Sequence, residues 1–321
     1  MSDYHPPLRP TPPRAWDVTR PRTITPLGVT AAVRPERSLQ FPLSPADTTA
    51  HVRGALDEDH AFHDVSTLAT VVSSRHVRGA IVARGDGVIC GVPLAIEAFR
   101  QLDSSITIRV EAEDGTRVTK GDQVLHLSGH ARGMLSAERT ALNYMQRLSG
   151  VATLTCRFVD AITGTRAVIL DTRKTTPHYR KLEKYAVRAG GGTNHRMDLR
   201  SGVLIKDNHL AAIGSDMTSA VSRARALAMP GTPIQVECDT LEQVDAALLA
   251  GADCILFDNM PLDRLREAVA RCEGRARTEA SGGVTFDTVR AIAETGVQRI
   301  SIGALTHSAN ALDLALDFEG L

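Results

Sequence analysis

The pattern of apolar and polar positions changes near residue 166. From there, short apolar runs alternate with stretches of helical spacing: AVILD, VLIKD, IQVEC, CILFD, RTEAS and RISIG. The last four runs begin at residues 234, 254, 277 and 299. Strand-length runs separated by helix-length segments mark βα units and a parallel sheet. Six such strands within one domain predict an α/β barrel, closed or nearly so, with an open doubly wound sheet as the alternative. Upstream, residues 46–65 have helical spacing. The stretches AIVARGDGVICGV and SITIRVEAEDGTRVTKGDQVLHLSGHA alternate with period two and carry DG and KG turns, the pattern of a β-rich region. Helical spacing returns over 135–163. The expected organisation is an N-terminal α+β domain over 46–165 and a barrel over 166–321, the end of the chain being free to pack back on the first domain. The segment before residue 46 holds ten of the fifteen prolines and Arg9, Arg14, Arg20, Arg22, Arg34 and Arg37, which predicts a flexible or extended arm. It lacks an apolar stretch of the secretory kind.

Composition narrows the possible partners. The chain has 321 residues and a mass of 34.5 kDa, with 37 basic and 37 acidic residues. A formal net charge of zero argues against holding nucleic acid or an anionic membrane by bulk charge. No apolar run has the length of a membrane span. Five scattered cysteines, none in a C-x-x-C pair, predict neither a disulfide framework nor a zinc cage, and a reducing cytoplasm is the expected compartment. There is no G-x-G-x-x-G and no P-loop motif. His126 and His130 have helical metal spacing but lie in a strand-like segment, and are expected at the surface.

Each barrel strand ends in polar residues: Asp171-Thr172-Arg173-Lys174, Lys206-Asp207-Asn208, Glu237-Cys238-Asp239, Asp258-Asn259, Ser281-Gly282-Gly283 and Gly303-Ala304. The carboxyl ends of barrel strands build the active site. Charge is divided along the chain, with a basic block over 166–209 and an acidic block over 237–263. That division places Arg173, Lys174 and Lys206 on one side of the mouth and Glu237 and Asp258 on the other. The cations suit a carboxylate or phosphate substrate. The carboxylates suit ribose hydroxyls or a hard divalent cation such as Mg²⁺. Ser281-Gly282-Gly283 and Gly303-Ala304 each lie between a strand and a helical segment, where backbone N–H groups bind phosphate. Gly190-Gly191-Gly192 before Asn194-His195-Arg196 lets backbone approach a ligand closely.

The chain resembles the quinolinate phosphoribosyltransferases, or carboxylating nicotinate-nucleotide pyrophosphorylases. The resemblance rests on ERTALNYMQRLSGVAT, DTRKTTP, GGGTNHR, LIKDNH, VECDTLEQ, FDN, EASGG and SIGALTHS, in that order, and covers nearly everything from residue 46 onward. It implies an N-terminal α/β sandwich-like domain, an incomplete C-terminal α/β barrel and a homodimer. It implies transfer of phosphoribose from phosphoribosyl pyrophosphate (PRPP) to quinolinate with Mg²⁺, giving nicotinate mononucleotide, pyrophosphate and CO₂ for NAD biosynthesis. It assigns Arg139, acting across the subunit boundary, Thr172, Arg173, His195, Arg196 and Lys206 to quinolinate. Lys174, Glu237 and Asp258 fall to PRPP and its metal, and Ser281, Gly282, Gly283, Gly303 and Ala304 to the 5′-phosphate. Lys174, Lys206, Glu237 and Asp258 form the implied catalytic set. One motif departs from the family: the usual E-D-L-G-x-G-D reads Glu58-Asp59-His60-Ala61-Phe62-His63-Asp64, without its glycines. A paralogue with another substrate, a non-catalytic ligand-binding subunit and a sugar-phosphate aldolase barrel are the competing readings.

Overall fold

The helical signal at 46–65 is broken in the middle. A computed structural model of the protein describes residues 39–214 and 216–319, so the arm expected over 1–45 lies outside the described residues up to Ser38. Ser44 caps helix α1 (Pro45–Glu58), accepting from the Asp47 N–H at 3.1 Å. The chain then turns through His60, whose φ of 49° lies in the left-handed region, and a short 3₁₀ turn, Ala61–His63. Asp64 caps a second helix, α2 (Val65–Thr70), by accepting from the Thr67 N–H at 3.0 Å. The local competition from these short polar side chains ends one helix and starts the next.

The β-rich stretch supplies β1 (His76–Ala83), β2 (Gly87–Val88), β3 (Thr107–Val110), β4 (Arg117–Val118) and β5 (Gln123–His130). Between the two alternating stretches lies a helix that was not expected, α3 (Val92–Leu102). Its buried Val92, Leu94, Ala95, Ala98 and Phe99 recur at helical spacing, and Pro93 in the first turn fits the helix start. The long helix α4 runs Ala131–Ala161 and is buried on several faces, because it lies between the N-terminal sheet and the barrel elements.

The six predicted barrel strands all form: β6 (Val168–Leu170), β7 (Val203–Ile205), β8 (Ile234–Cys238), β9 (Cys254–Asp258), β10 (Arg277–Ser281) and β11 (Arg299–Ser301). They make one parallel sheet in the order β6-β11-β10-β9-β8-β7. Strands 7 to 11 follow in sequence, and the first strand rejoins the last. That is a barrel with one seam, between β6 and β7, rather than a doubly wound sheet. Helices α5 (Arg180–Ala189), α6 (Asp207–Ala212), α7 (Met217–Leu227), α8 (Leu241–Leu249), α9 (Leu262–Arg271), α10 (Phe286–Ala293) and α11 (Ala304–His307) connect the strands. The seam is partly occupied: Thr193 forms an isolated parallel bridge with Leu170, and its N–H donates to the Ile169 carbonyl at 2.8 Å. The last strand, β12 (Leu314–Phe318), leaves the barrel and pairs antiparallel with β1, giving the four-stranded sheet β12-β1-β5-β3. The described residues from Leu39 onward form one compact unit.

Candidate active site

A cavity of about 780 Å³ opens at the carboxyl ends of the barrel strands. Thr172, Arg173 and Lys174 enter it from the segment after β6, and His195 and Arg196 from the strip in the seam. Lys206 follows β7, Glu237 and Asp258 end β8 and β9, Ser281, Gly282 and Gly283 follow β10, and Gly303 and Ala304 follow β11. Of the predicted site residues only Arg139 is elsewhere. It is exposed on α4 and lines a separate cavity with Glu58, Asp59, Tyr144 and Tyr179. The altered 58–64 segment therefore borders Arg139 rather than the strand ends. His126 and His130 lie on β5. His130 donates from Nδ1 to the Asp103 carboxylate at 2.9 Å, and His126 is largely buried rather than at the surface, its side chain being 12% exposed.

Two ion pairs, one wholly buried and one half-buried, shape the mouth. Asp171 and Lys184, wholly buried, pair directly. The Asp171 carboxylate also accepts from the Asn194 amide at 2.6 Å and from the His195 N–H at 2.8 Å, while Lys184 donates to the His195 carbonyl at 3.2 Å. Burial pushes the Asp171 carboxyl up against the opposing effect of Lys184, and pushes the Lys184 amine down against that of Asp171. The pair thus stands against a desolvation cost that only its full set of hydrogen bonds offsets. The second pair joins Arg147 of α4 to the buried Glu183 at 2.6 Å. Glu183 in turn accepts from the Thr176 N–H and hydroxyl, both at 3.0 Å. Arg147 also donates to the Thr306 carbonyl, and the Thr306 hydroxyl donates to the Lys174 carbonyl at 2.7 Å. One arginine on α4 therefore ties the Arg173-Lys174 loop to the loop after β11.

The predicted separation of cations and carboxylates across the mouth does not hold for one pair. Lys206 and Glu237 touch, because β7 and β8 are adjacent parallel strands that end side by side. The cationic excess lies with Arg173, Lys174 and Arg196. Burial, reinforced by the Arg173 charge, lowers the basicity of Arg196. The Arg173 Nε is buried and finds no hydrogen-bond partner among the described residues. Two guanidinium groups that line one cavity and feel each other's charge suit an anion.

On the opposite side, Gly282 and Gly283 take φ values of +86° and +57°. The Asn259 side chain fills the space over Gly282, where a β-carbon would collide with its Oδ1. Asn259 itself has a φ of 51°, donates its N–H to the Ser281 carbonyl at 2.9 Å, and donates its amide to Asp258 at 2.9 Å. The turn at Gly282 and Gly283 is thereby packed against Asn259 in a left-handed backbone that glycine adopts without strain. The Lys174 stem crosses Gly303, where a β-carbon would come within 2.9 Å of its Cδ.

Asn259, noted as a polar strand-end residue but given no role, lines the cavity, and sequence reasoning missed Glu279, Ser301 and His307, which also line it, and Gln235 beneath it. The inward residues Gln235, Glu279 and Ser301 lie two places before Glu237, Ser281 and Gly303. Counting back by the strand period of two would have found them.

Comparison with known proteins supports one family. The quinolinate phosphoribosyl transferase N-terminal and C-terminal domain models match residues 64–149 and 151–317. The nicotinate-nucleotide pyrophosphorylase [carboxylating] of Mycobacterium leprae (strain TN) is 46% identical over 272 residues, 83% of this chain and 95% of its own. A probable enzyme of the same name from Bacillus subtilis (strain 168) is 43% identical over 251 residues, covering 78% and 86%. The solved nicotinate-nucleotide pyrophosphorylase of Francisella tularensis superposes with a TM-score of 0.81 at 36% identity, covering 87% of this chain and 99% of that one.

The Asp171–Lys184 pair carries the first prediction. Lys184→Met leaves a buried carboxylate without its cation and should cost about 3–5 kcal/mol of stability. Chemical denaturation measures it, and a loss below about 1 kcal/mol would remove the pair from its structural role.

Proposed function

The chain belongs to the quinolinate phosphoribosyltransferase family, and we propose that it transfers phosphoribose from PRPP to the ring nitrogen of quinolinate with loss of CO₂. The observation that carries this reading is the anion receptor made by Arg173 and Arg196, facing the glycine corner at Gly282 and Gly283. Quinolinate has two carboxylates beside a ring nitrogen, and PRPP has phosphates at both ends. A cavity with cations on one side and backbone donors on the other fits both.

The chemistry needs no protein nucleophile. The ring nitrogen attacks the anomeric carbon as the bond to pyrophosphate breaks, through a sugar centre of cationic character. The pyridinium so formed stabilises the electron pair left on the adjacent carbon when its bond to the carboxylate breaks; CO₂ leaves, and a proton from water takes its place on that carbon. Protein groups bind, orient and neutralise. Arg173, Arg196 and Lys206, with Thr172 alongside, hold the carboxylates in line with the sugar. Lys174 neutralises the departing pyrophosphate, and the backbone at Ser281, Gly282, Gly283, Gly303 and Ala304 holds the 5′-phosphate. Glu237 and Asp258 face the ribose hydroxyls. The arrival of both substrates redistributes the Lys206–Glu237 contact, freeing Lys206 for a carboxylate and Glu237 for the sugar.

Mg²⁺ accompanies PRPP in this reading. The described residues contain no cluster of three or more His, Cys, Asp or Glu able to hold a metal ion. Glu237 and Asp258 alone offer oxygens at adjacent strand ends, which fits an ion coordinated mainly by substrate phosphate and water. When bound, Mg²⁺ supplies charge neutralisation on the pyrophosphate. The functional unit is a homodimer in which Arg139 completes the quinolinate site across the subunit boundary, and the enzyme works in the cytoplasm on small molecules rather than on nucleic acid or membrane.

Arg173→Ala and Lys206→Ala should each lower kcat/KM for quinolinate by about a hundredfold or more while the proteins stay folded. Steady-state assay of nicotinate mononucleotide formation checks it, and unchanged kinetics in either would contradict the assignment. Arg139→Ala and Lys206→Ala subunits, each inactive alone, should regain about a quarter of wild-type activity when mixed and reassembled, since half the random dimers then hold one intact site. No recovery on verified subunit exchange would place Arg139 outside the site.

A further inference from the structure

One buried group under the cavity has no part in the reading so far. Glu279 lies on β10 with no exposed surface, in the layer below the strand ends. Barrel interiors are normally filled by apolar side chains at this depth. A carboxylate beneath a site for two anionic substrates works against their binding unless it acts on something else. We propose that Glu279 is a positioning residue: it holds the His195 ring in one tautomer, and His195 in turn fixes the 195–196 peptide that aims Arg196 at the substrate.

The contacts support each link. Glu279 accepts from the Ser301 hydroxyl on β11 and from the Gln235 amide on β8 at 3.0 Å. Its Oε1 lies 3.3 Å from His195 Nε2, which also lies 3.1 Å from the Gln235 Oε1. On the other side of the ring, His195 Nδ1 accepts from the Arg196 N–H at 2.7 Å. A ring nitrogen that accepts carries no proton, so these bonds assign the proton to Nε2. The Arg196 guanidinium is held further along by donating to the Gly202 carbonyl at 2.9 Å. Both His195 nitrogens are therefore engaged within the protein, and His195 serves quinolinate binding as a strut rather than as a direct donor. Burial would raise the Glu279 carboxyl, but His195, Ser301 and Gln235 outweigh it and hold the group below the usual carboxylate range, so it stays ionised.

This inference deepens the quinolinate reading and rests on it for its kinetic half. The test is Glu279→Gln. An amide at 279 sets a donor against either the Gln235 amide or the His195 N–H, so the ring loses its charged acceptor and keeps only the Gln235 oxygen, whose amide Glu279 no longer orients. The KM for quinolinate should rise by about tenfold to a hundredfold while the KM for PRPP and kcat move by less than about threefold. In histidine-¹⁵N-labelled enzyme without substrate, the His195 signal, identified by its absence in His195→Ala, should report Nε2–H in the wild type and a mixture of tautomers in the variant. The double variant E279Q/H195A should be no worse for quinolinate than H195A alone. If E279Q does not fold, Glu279→Asp, which withdraws the charge from the ring, is read in the same way. A wild-type quinolinate KM with an unchanged tautomer would overturn the proposal, as would independent effects in the double variant. Absence of quinolinate turnover in the wild type would sink the proposed reaction, and the tautomer signal would then decide the role of Glu279 by itself.

Discussion

Between β6 and β7 the barrel lacks a strand pair, and what fills the gap is the strip from Thr193 to Arg196. Its place depends on a lysine and an aspartate buried against each other. Asp171 reaches across the seam to the His195 N–H and the Asn194 amide, and Lys184 reaches from α5 to the His195 carbonyl. An ion pair in such a place is expensive to desolvate and strongly destabilising to break, so it tolerates one arrangement of the strip and no other. The cavity floor and the cationic corner follow from that arrangement. A barrel closed by a seventh pair would leave no route for His195 and Arg196 into its mouth.

The second constraint comes from α4. Arg147 binds Glu183 and the Thr306 carbonyl, and through the Thr306 hydroxyl it reaches the Lys174 backbone. The loop that carries Lys174 and the loop after β11 are thus referenced to one helix. Such coupling suits a reaction with no covalent intermediate, where rate comes from keeping two anionic substrates in line. A net charge of zero is compatible with this, since the cations gather at one corner and the carboxylates of Glu237 and Asp258 at the adjacent strand ends.

Much of this was legible in the sequence because barrel strands announce themselves twice, by apolar runs and by polar residues at their ends. All six strands and most of the polar lining residues follow from those signals and from the glycine-rich strip before Asn194. The helix α3 was overlooked because it fills the short gap between two alternating stretches, although its own apolar residues recur at helical spacing. The Lys206–Glu237 contact was hidden because sequence blocks of like charge say nothing about which strand ends become neighbours. The Asp171–Lys184 pair was hidden because a charged residue in sequence reads as surface, and only the fold reveals burial. Glu279 sits in the interior of a short strand, where an acid is easily taken for an exposed position.

The central claim is that this cavity joins ring-nitrogen transfer to decarboxylation of a dicarboxylate. Incubation of the purified protein with PRPP, Mg²⁺ and quinolinate carrying ¹³C in the carboxylate beside the ring nitrogen tests it most directly. The account predicts one ¹³CO₂ released for each nicotinate mononucleotide formed, and none when PRPP is left out. Nucleotide formed without CO₂, CO₂ released without PRPP, or no turnover at all would contradict it.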